Sequence, residues 1–188
     1  LPVQPGDIVR LQGGVNFAGT LGWFNLGDPD KPITLTSYGI GKPIIQGGIG
    51  YAGPGGLHVR NLILKGDGQT LGTSGLHITQ GRHFQIEDVE CSGYGLGGIT
   101  IQAAGPDPIR DISILRTQLH HNRNGLHVGG GPSMNRDIFD LHILDTDAWE
   151  NDWVQPTDAA GCGLNITTTS GLLVQDCRLW RNGRLSVL

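Results

Sequence analysis

The apolar residues of this chain fall into columns whose spacing is far longer than any helix or strand period. Leu57, Phe84, Ile112, Leu141 and Leu172 stand 27, 28, 29 and 31 residues apart. Two positions on come Val59, Ile86, Ile114, Ile143 and Val174. Five on come Leu62, Val89, Thr117, Thr146 and Cys177; seven on, Leu64, Cys91, Leu119, Ala148 and Leu179. No charged residue enters these columns. Earlier, Ile33, Leu35, Tyr38 and Ile40 fit the same offsets. A second column follows in each unit: Leu76-His77-Ile78, Ile99-Thr100-Ile101, Leu126-His127-Val128, Leu164-Asn165-Ile166 and Leu185-Ser186-Val187. Each triplet alternates in, out, in, as a half-buried strand does. The first four follow a glycine, the residue that most readily turns the chain.

Each unit therefore holds about three short strands and no helix-period segment. Such a unit cannot bury its own apolar face, but units stacked roughly 4.8 Å apart bury all of theirs in one core. The pattern predicts an all-β chain, a single right-handed parallel β-helix (solenoid) of about six rungs. It occupies 1–188 as one domain and is expected to be part of a longer chain. Solenoid ends expose open strand edges, and the first residues here are an irregular Pro/Gly segment, so end-to-end association with another chain is expected. Successive triplets start 23, 27, 38 and 21 residues apart, and the surplus of the long step falls between Glu150 and Cys162. Insertions in a solenoid gather on one face, often the binding face.

Composition agrees with many turns: 32 of 188 residues are glycine. The net charge is −4 and the basic residues are scattered singly, which excludes a nucleic-acid surface. No apolar run reaches the roughly 20 residues of a membrane span. Cys91, Cys162 and Cys177 form no CxxC pair and are expected as buried thiols.

Three features together resemble one family. They are Gln4-Pro5-Gly6-Asp7-Ile8-Val9-Arg10-Leu11, then Lys31-Pro32-Ile33-Thr34-Leu35-Thr36-Ser37-Tyr38-Gly39, and the Gly-Leu-His-Val repeats. The chain resembles the pectate-lyase-like superfamily of parallel β-helix proteins over essentially its whole length, and its opening resembles alginate and chondroitin lyases of that fold. The resemblance implies action on polysaccharides, by lyases, hydrolases and epimerases, alongside tailspikes and adhesins. It implies a polysaccharide partner and a secreted or cell-surface location. Calcium is the cofactor it leaves open, with no ligand motif matched in this sequence.

Ten positions after each first-column residue stand Asp67, Tyr94, Asn122, Asn151 and Asn182, which resemble the asparagine ladder of β-helices. Four positions after it stand Asn61, Asp88, Arg116, Asp145 and Asp176, a column expected to form surface ion pairs between rungs. His77, Thr100, His127, Asn165 and Ser186 occupy the outward centres of the triplets and form a polar stripe where a linear sugar chain could lie. Beside it come the polar turn His120-His121-Asn122-Arg123-Asn124 and the insertion beginning Trp149-Glu150-Asn151-Asp152-Trp153. Tryptophan stacks on pyranose rings, and paired carboxylates do acid–base work at glycosidic bonds. The expected catalytic groups are Asp152, Glu150 and His127; Arg123, Trp149, Trp153 and His77 are expected to bind substrate. The competing reading has Trp149 covering the core end and Trp153 pinning its loop. The leading function is binding and cleavage of a polysaccharide, by a lyase or a glycoside hydrolase. The rival is a non-catalytic adhesive or structural solenoid such as a surface or tailspike segment. Ice binding is a distant third because flat threonine rows are absent.

Overall fold

A computed structural model gives the architecture and describes residues 2–68, 70–104, 107–129, 138–152 and 161–187. The strands form three seven-stranded parallel sheets, each taking every third strand of the chain. The chain thus circles one core six times between its first and last rungs, as a single parallel β-helix. No helix occurs among the described residues.

The first sheet carries the first column in register: Leu57 pairs with Phe84, Phe84 with Ile112, Ile112 with Leu141, and Leu141 with Leu172. The second sheet is built of three-residue strands and stacks Ile45, Leu64, Cys91, Leu119, Ala148 and Leu179. The third stacks the triplets, Leu76 on Ile99 on Leu126 on Leu164. Facing inward, these side chains make one buried cluster running the length of the stack. Cys91 is a free thiol buried within it, Cys162 is a buried free thiol, and Cys177 is half-buried against the cluster.

The structure departs from the sequence reading at both ends. Below the repeats lies a further rung, in which Val9 pairs with Leu35. The third sheet also continues downward through Ile49-Gly50-Tyr51 and Leu21-Gly22-Trp23. Glycine at the outward centre of both triplets hid the alternation. Tyr38 and Ile40 do not belong to the columns; they are 51% and 94% exposed. Ile45 takes the inward place instead, ten residues after Leu35 where Leu64 follows Val59 by five, so this corner is five residues longer. At the other end, Leu172 and Val174 are not buried but 38% and 40% exposed, because their strand is the outermost of the first sheet.

The column expected to hold ion pairs has a second determinant. Asn61, Asp88, Arg116, Asp145 and Asp176 all take φ between 45° and 55°. That is the left-handed region, which Asn and Asp tolerate best. Backbone conformation therefore selects this column before charge does. Arg116 uses its place to bind Asp88 (Nε–Oδ1 3.0 Å) and Glu87 in the rung below.

The asparagine column is a continuous seam between the second and third sheets. Asn122 Oδ1 accepts from the Tyr94 amide, Asn151 Oδ1 from the Asn122 amide, and Asn182 Oδ1 from the Asn151 amide, each at 3.1 Å. Their Nδ2 groups donate to the carbonyls of Cys91, Leu119 and Ala148. Asn122 and Asn151 are fully buried with their side-chain bonds made. This seam fixes the corner from which the candidate site is hung.

Candidate functional site

On the outer face of the third sheet, His77 pairs with Thr100 and Thr100 with His127, so the two histidines stand two rungs apart. The expected open stripe is partly covered. Thr100 is fully buried, with its hydroxyl 2.8 Å from that of Ser74, because the long strand Leu71–Ile78 carries Ser74 across it. Both histidines are half-buried as a result, and burial lowers the pKa of each. Arg123 and then His77 push His127 further down, which also places Arg123 within electrostatic reach of that ring. At neutral pH both imidazoles are therefore uncharged.

Their hydrogen-bond partners differ. Asn165 Nδ2 donates to His127 Nδ1 at 3.3 Å, which leaves the ring proton on Nε2. His77 is hydrogen-bonded by the Gln102 side chain, while its Nε2 is buried without a hydrogen-bond partner.

A cavity of about 680 Å³ opens at the His77 end, walled by Gln46, Lys65, Asp67, Ser74, His77 and Tyr94. That volume is in the usual range for a small-molecule site. Its depth follows from Gly50, which stands beneath His77 where the rungs above carry a side chain. Tyr94 closes the inner wall, its hydroxyl donating to the Gly47 carbonyl at 2.5 Å.

The remaining expected site residues divide between two faces. Arg123 and Asp152 each follow a ladder asparagine directly, so they occupy the same place in successive rungs at the rim of the third sheet. Trp149 does not sit in a loop. It ends a second-sheet strand, Asp147–Trp149, where its ring is stacked between His120 at 4.4 Å and Trp180 at 5.0 Å. Both faces are thereby covered. Glu150 occupies the turn after it with φ 51°, bound by His121 at 3.0 Å and Arg181 at 3.2 Å. Trp153 lies outside the described residues. The structure thus brings His77, His127, Arg123 and Asp152 to one side of the seam and sets Trp149 and Glu150 on the other. Among the described residues, no group of three His, Cys, Asp or Glu side chains is placed to hold a metal ion.

Two solved structures share this architecture. An alginate lyase from Paenibacillus sp. strain FPU-7 matches with a TM-score of 0.56 at 17% identity, over 94% of this chain and 60% of its own. The pectate lyase Pel9A matches with a TM-score of 0.61 at 20% identity, over 96% of this chain and 40% of its own. The fold is that of a pectate-lyase-like β-helix. This pectate-lyase-like β-helix spans less than two thirds of either neighbour, and neither a family model nor a curated protein matches its sequence.

The same β-helix carries a polar cluster on its first sheet that the sequence reading missed. His83 Nδ1 lies 2.7 Å from Asp111 Oδ2, and the rings of His58 and His83 are 5.3 Å apart. Arg60 reaches Gln85 at 2.5 Å; Glu87 lies 3.4 Å from Arg60 Nε without the alignment of a hydrogen bond. Burial, with Arg60 beside it, lowers the His58 pKa to about 4. The signal was present, since Gly56-Leu57-His58-Val59 repeats the wording of Gly125-Leu126-His127-Val128. The inward periodicity of that column carries no information about its outward residues.

Proposed function

We propose that this chain binds an acidic polysaccharide along the outer face of the third sheet and cleaves it there. The observation that carries the reading is the 680 Å³ cavity bordered by His77 together with the polar side chains of Gln46, Lys65, Asp67 and Ser74. Burial lowers the pKa of His77, and an uncharged imidazole beside a cavity can take a proton. In this reading His77 removes a proton from a sugar bound in the cavity, and His127 offers its Nε2–H to the oxygen that leaves. Arg123 meets a sugar carboxylate, with Asp152 beside it at the rim. Lys65 and Gln46 hold the chain at the lower end. The alginate and pectate lyases that share the fold support an acidic polymer as the substrate class. A secreted or cell-surface location follows from such a substrate, and the exposed Leu172, Leu173 and Val174 offer an apolar edge for end-to-end association.

The test is a panel of alginate, pectate and a neutral glucan, read by ultraviolet absorbance of new unsaturated ends and, separately, by reducing ends. The parent should cut an acidic polymer, and His77→Ala should abolish cutting without altering the melting temperature. Rising reducing ends without absorbance would assign hydrolysis in place of elimination. Binding without cleavage on every polymer would leave the adhesive solenoid as the function.

A further inference from the structure

His120 ends the second-sheet strand Gln118–His120, and His121 begins the turn after it. Their Nδ1 atoms face each other at 2.8 Å, and the rings stand nearly perpendicular with centroids 5.0 Å apart. Each outer nitrogen is turned toward a carboxylate on a different rung. His120 Nε2 is hydrogen-bonded to Glu90 Oε1 at 3.4 Å in the rung below. His121 Nε2 lies 3.0 Å from Glu150 Oε2 in the rung above. Trp149 stacks on the His120 ring at 4.4 Å and holds its orientation. The ladder therefore engages the Nε2 atoms and leaves the Nδ1 pair to itself.

Two neutral imidazoles cannot satisfy all three contacts. A neutral ring carries one proton, and a carboxylate accepts but does not donate. With both protons on Nε2, facing the carboxylates, two Nδ1 lone pairs confront each other at 2.8 Å. Moving one proton between the Nδ1 atoms instead sets a bare Nε2 lone pair against Glu90 or Glu150. A positive charge between the Nδ1 atoms resolves the conflict, supplied by an extra proton or by a metal ion. Burial lowers the His120 pKa, which disfavours the extra proton there and keeps that ring a neutral imidazole able to ligate. Histidine ligands usually have their second nitrogen held by a carboxylate or carbonyl, and both rings are placed for this.

The spacing selects the metal. At a bond length of about 2.0 Å, nitrogens 2.8 Å apart subtend about 90° at a shared ion. That is the angle between neighbouring ligands in the square-planar or tetragonal sites of Cu(II) and Ni(II). Tetrahedral Zn(II) would need the nitrogens about 3.3 Å apart. His121 is exposed, so the remaining positions of the ion open to water.

We propose that His120 and His121 form a chelating site for Cu(II) or Ni(II), with Glu90 and Glu150 orienting the two rings and water completing the coordination. The glutamates are orienting partners and not ligands, which accords with the lack of a three-ligand group among the described residues. The site lies across the asparagine seam from the third-sheet groove and stands whether or not that groove is catalytic.

The experiment titrates Cu(II) into the untagged full chain at mildly alkaline pH, read by electron paramagnetic resonance and by competition with a chromophoric chelator. The first equivalent should bind with a tetragonal spectrum that shows imidazole nitrogen coupling, and it should raise the Tm. His121→Gln, an exposed change, should weaken that equivalent about 100-fold, and Glu90→Gln, which removes only an orienting partner, about tenfold. His142→Gln, on the first sheet, should leave it unchanged. A first equivalent that fails to bind overturns the proposal. So does one that binds equally to the parent and to the His121→Gln variant, and either result assigns the Nδ1 contact to a shared proton.

Discussion

The second and third sheets meet at the asparagine seam yet use their outer faces in opposite ways. On the second, from His120 upward, the aromatic and charged groups are occupied by a neighbour one rung away. His120, Trp149 and Trp180 stack on one another, Arg178 holds Asp147 at 2.5 Å, and Glu150 is shared by His121 and Arg181. On the third, Gly50 leaves a void, His77 keeps an unpartnered nitrogen, and a 680 Å³ cavity opens beside it. A rung-to-rung ladder spends its groups on itself. Where the ladder is interrupted, the same residue types become available to a ligand.

The largest effect that would sharpen this contrast is on turnover. His127→Ala should lower the cleavage rate by about 10²–10⁴-fold, the usual worth of a positioned acid or base, with an unchanged Tm. Equal loss of Tm and rate would return His127 to a structural role. Next is the seam common to both faces. Asn151→Ala removes bonds to the Asn122 amide and the Leu119 carbonyl and should cost on the order of 3 kcal/mol by urea unfolding, since the groups left behind are buried. On the second sheet, Trp149→Ala gives up two ring stackings and should cost about 1–3 kcal/mol while leaving polysaccharide affinity alone. A loss of affinity at constant stability would move the sugar site to that face.

A smaller effect concerns pH. Burial is the leading cause of the lowered pKa at His58, His77, His120 and His127. An imidazole whose folded pKa lies below its unfolded value takes up protons preferentially when unfolded. Its stabilising contribution is complete above the ordinary value of 6.5 and is lost as pH falls toward the folded value, about 4 for His58. Urea midpoints should therefore decline through that window, and His58→Gln should flatten the decline. Smallest of all is Arg116→Ala. Its ion pairs are exposed and screened, so neither Tm nor turnover should change measurably.

Much of the fold was legible because every inward position repeats: Leu57, Phe84, Ile112 and Leu141 keep one register through four rungs. It failed where a rung's outward residue is glycine, as at Gly22 and Gly50, and where a longer corner displaced Ile45. The candidate site was harder to read. Spacing places His77 and His127 in one stripe, but only the structure shows that Thr100 between them is covered by Ser74. Periodicity also gave no reason to assign Trp149 to a stack, because its partners His120 and Trp180 lie about thirty residues away on either side. Outward residues answer to neighbours across rungs, and the order of the chain does not reveal how those neighbours fill their valences.

The seam has a mechanical consequence. All backbone hydrogen bonds between rungs run along the long axis of the stack, so a pull on its two ends loads each interface in tension. From Tyr94 to Asn182 the asparagine amides add a second line of bonds to every interface. Below Tyr94 that line stops, and its hydroxyl reaches past one rung to the Gly47 carbonyl. Under axial force the lower rungs should peel away first, one by one, while the reinforced upper half holds as a block.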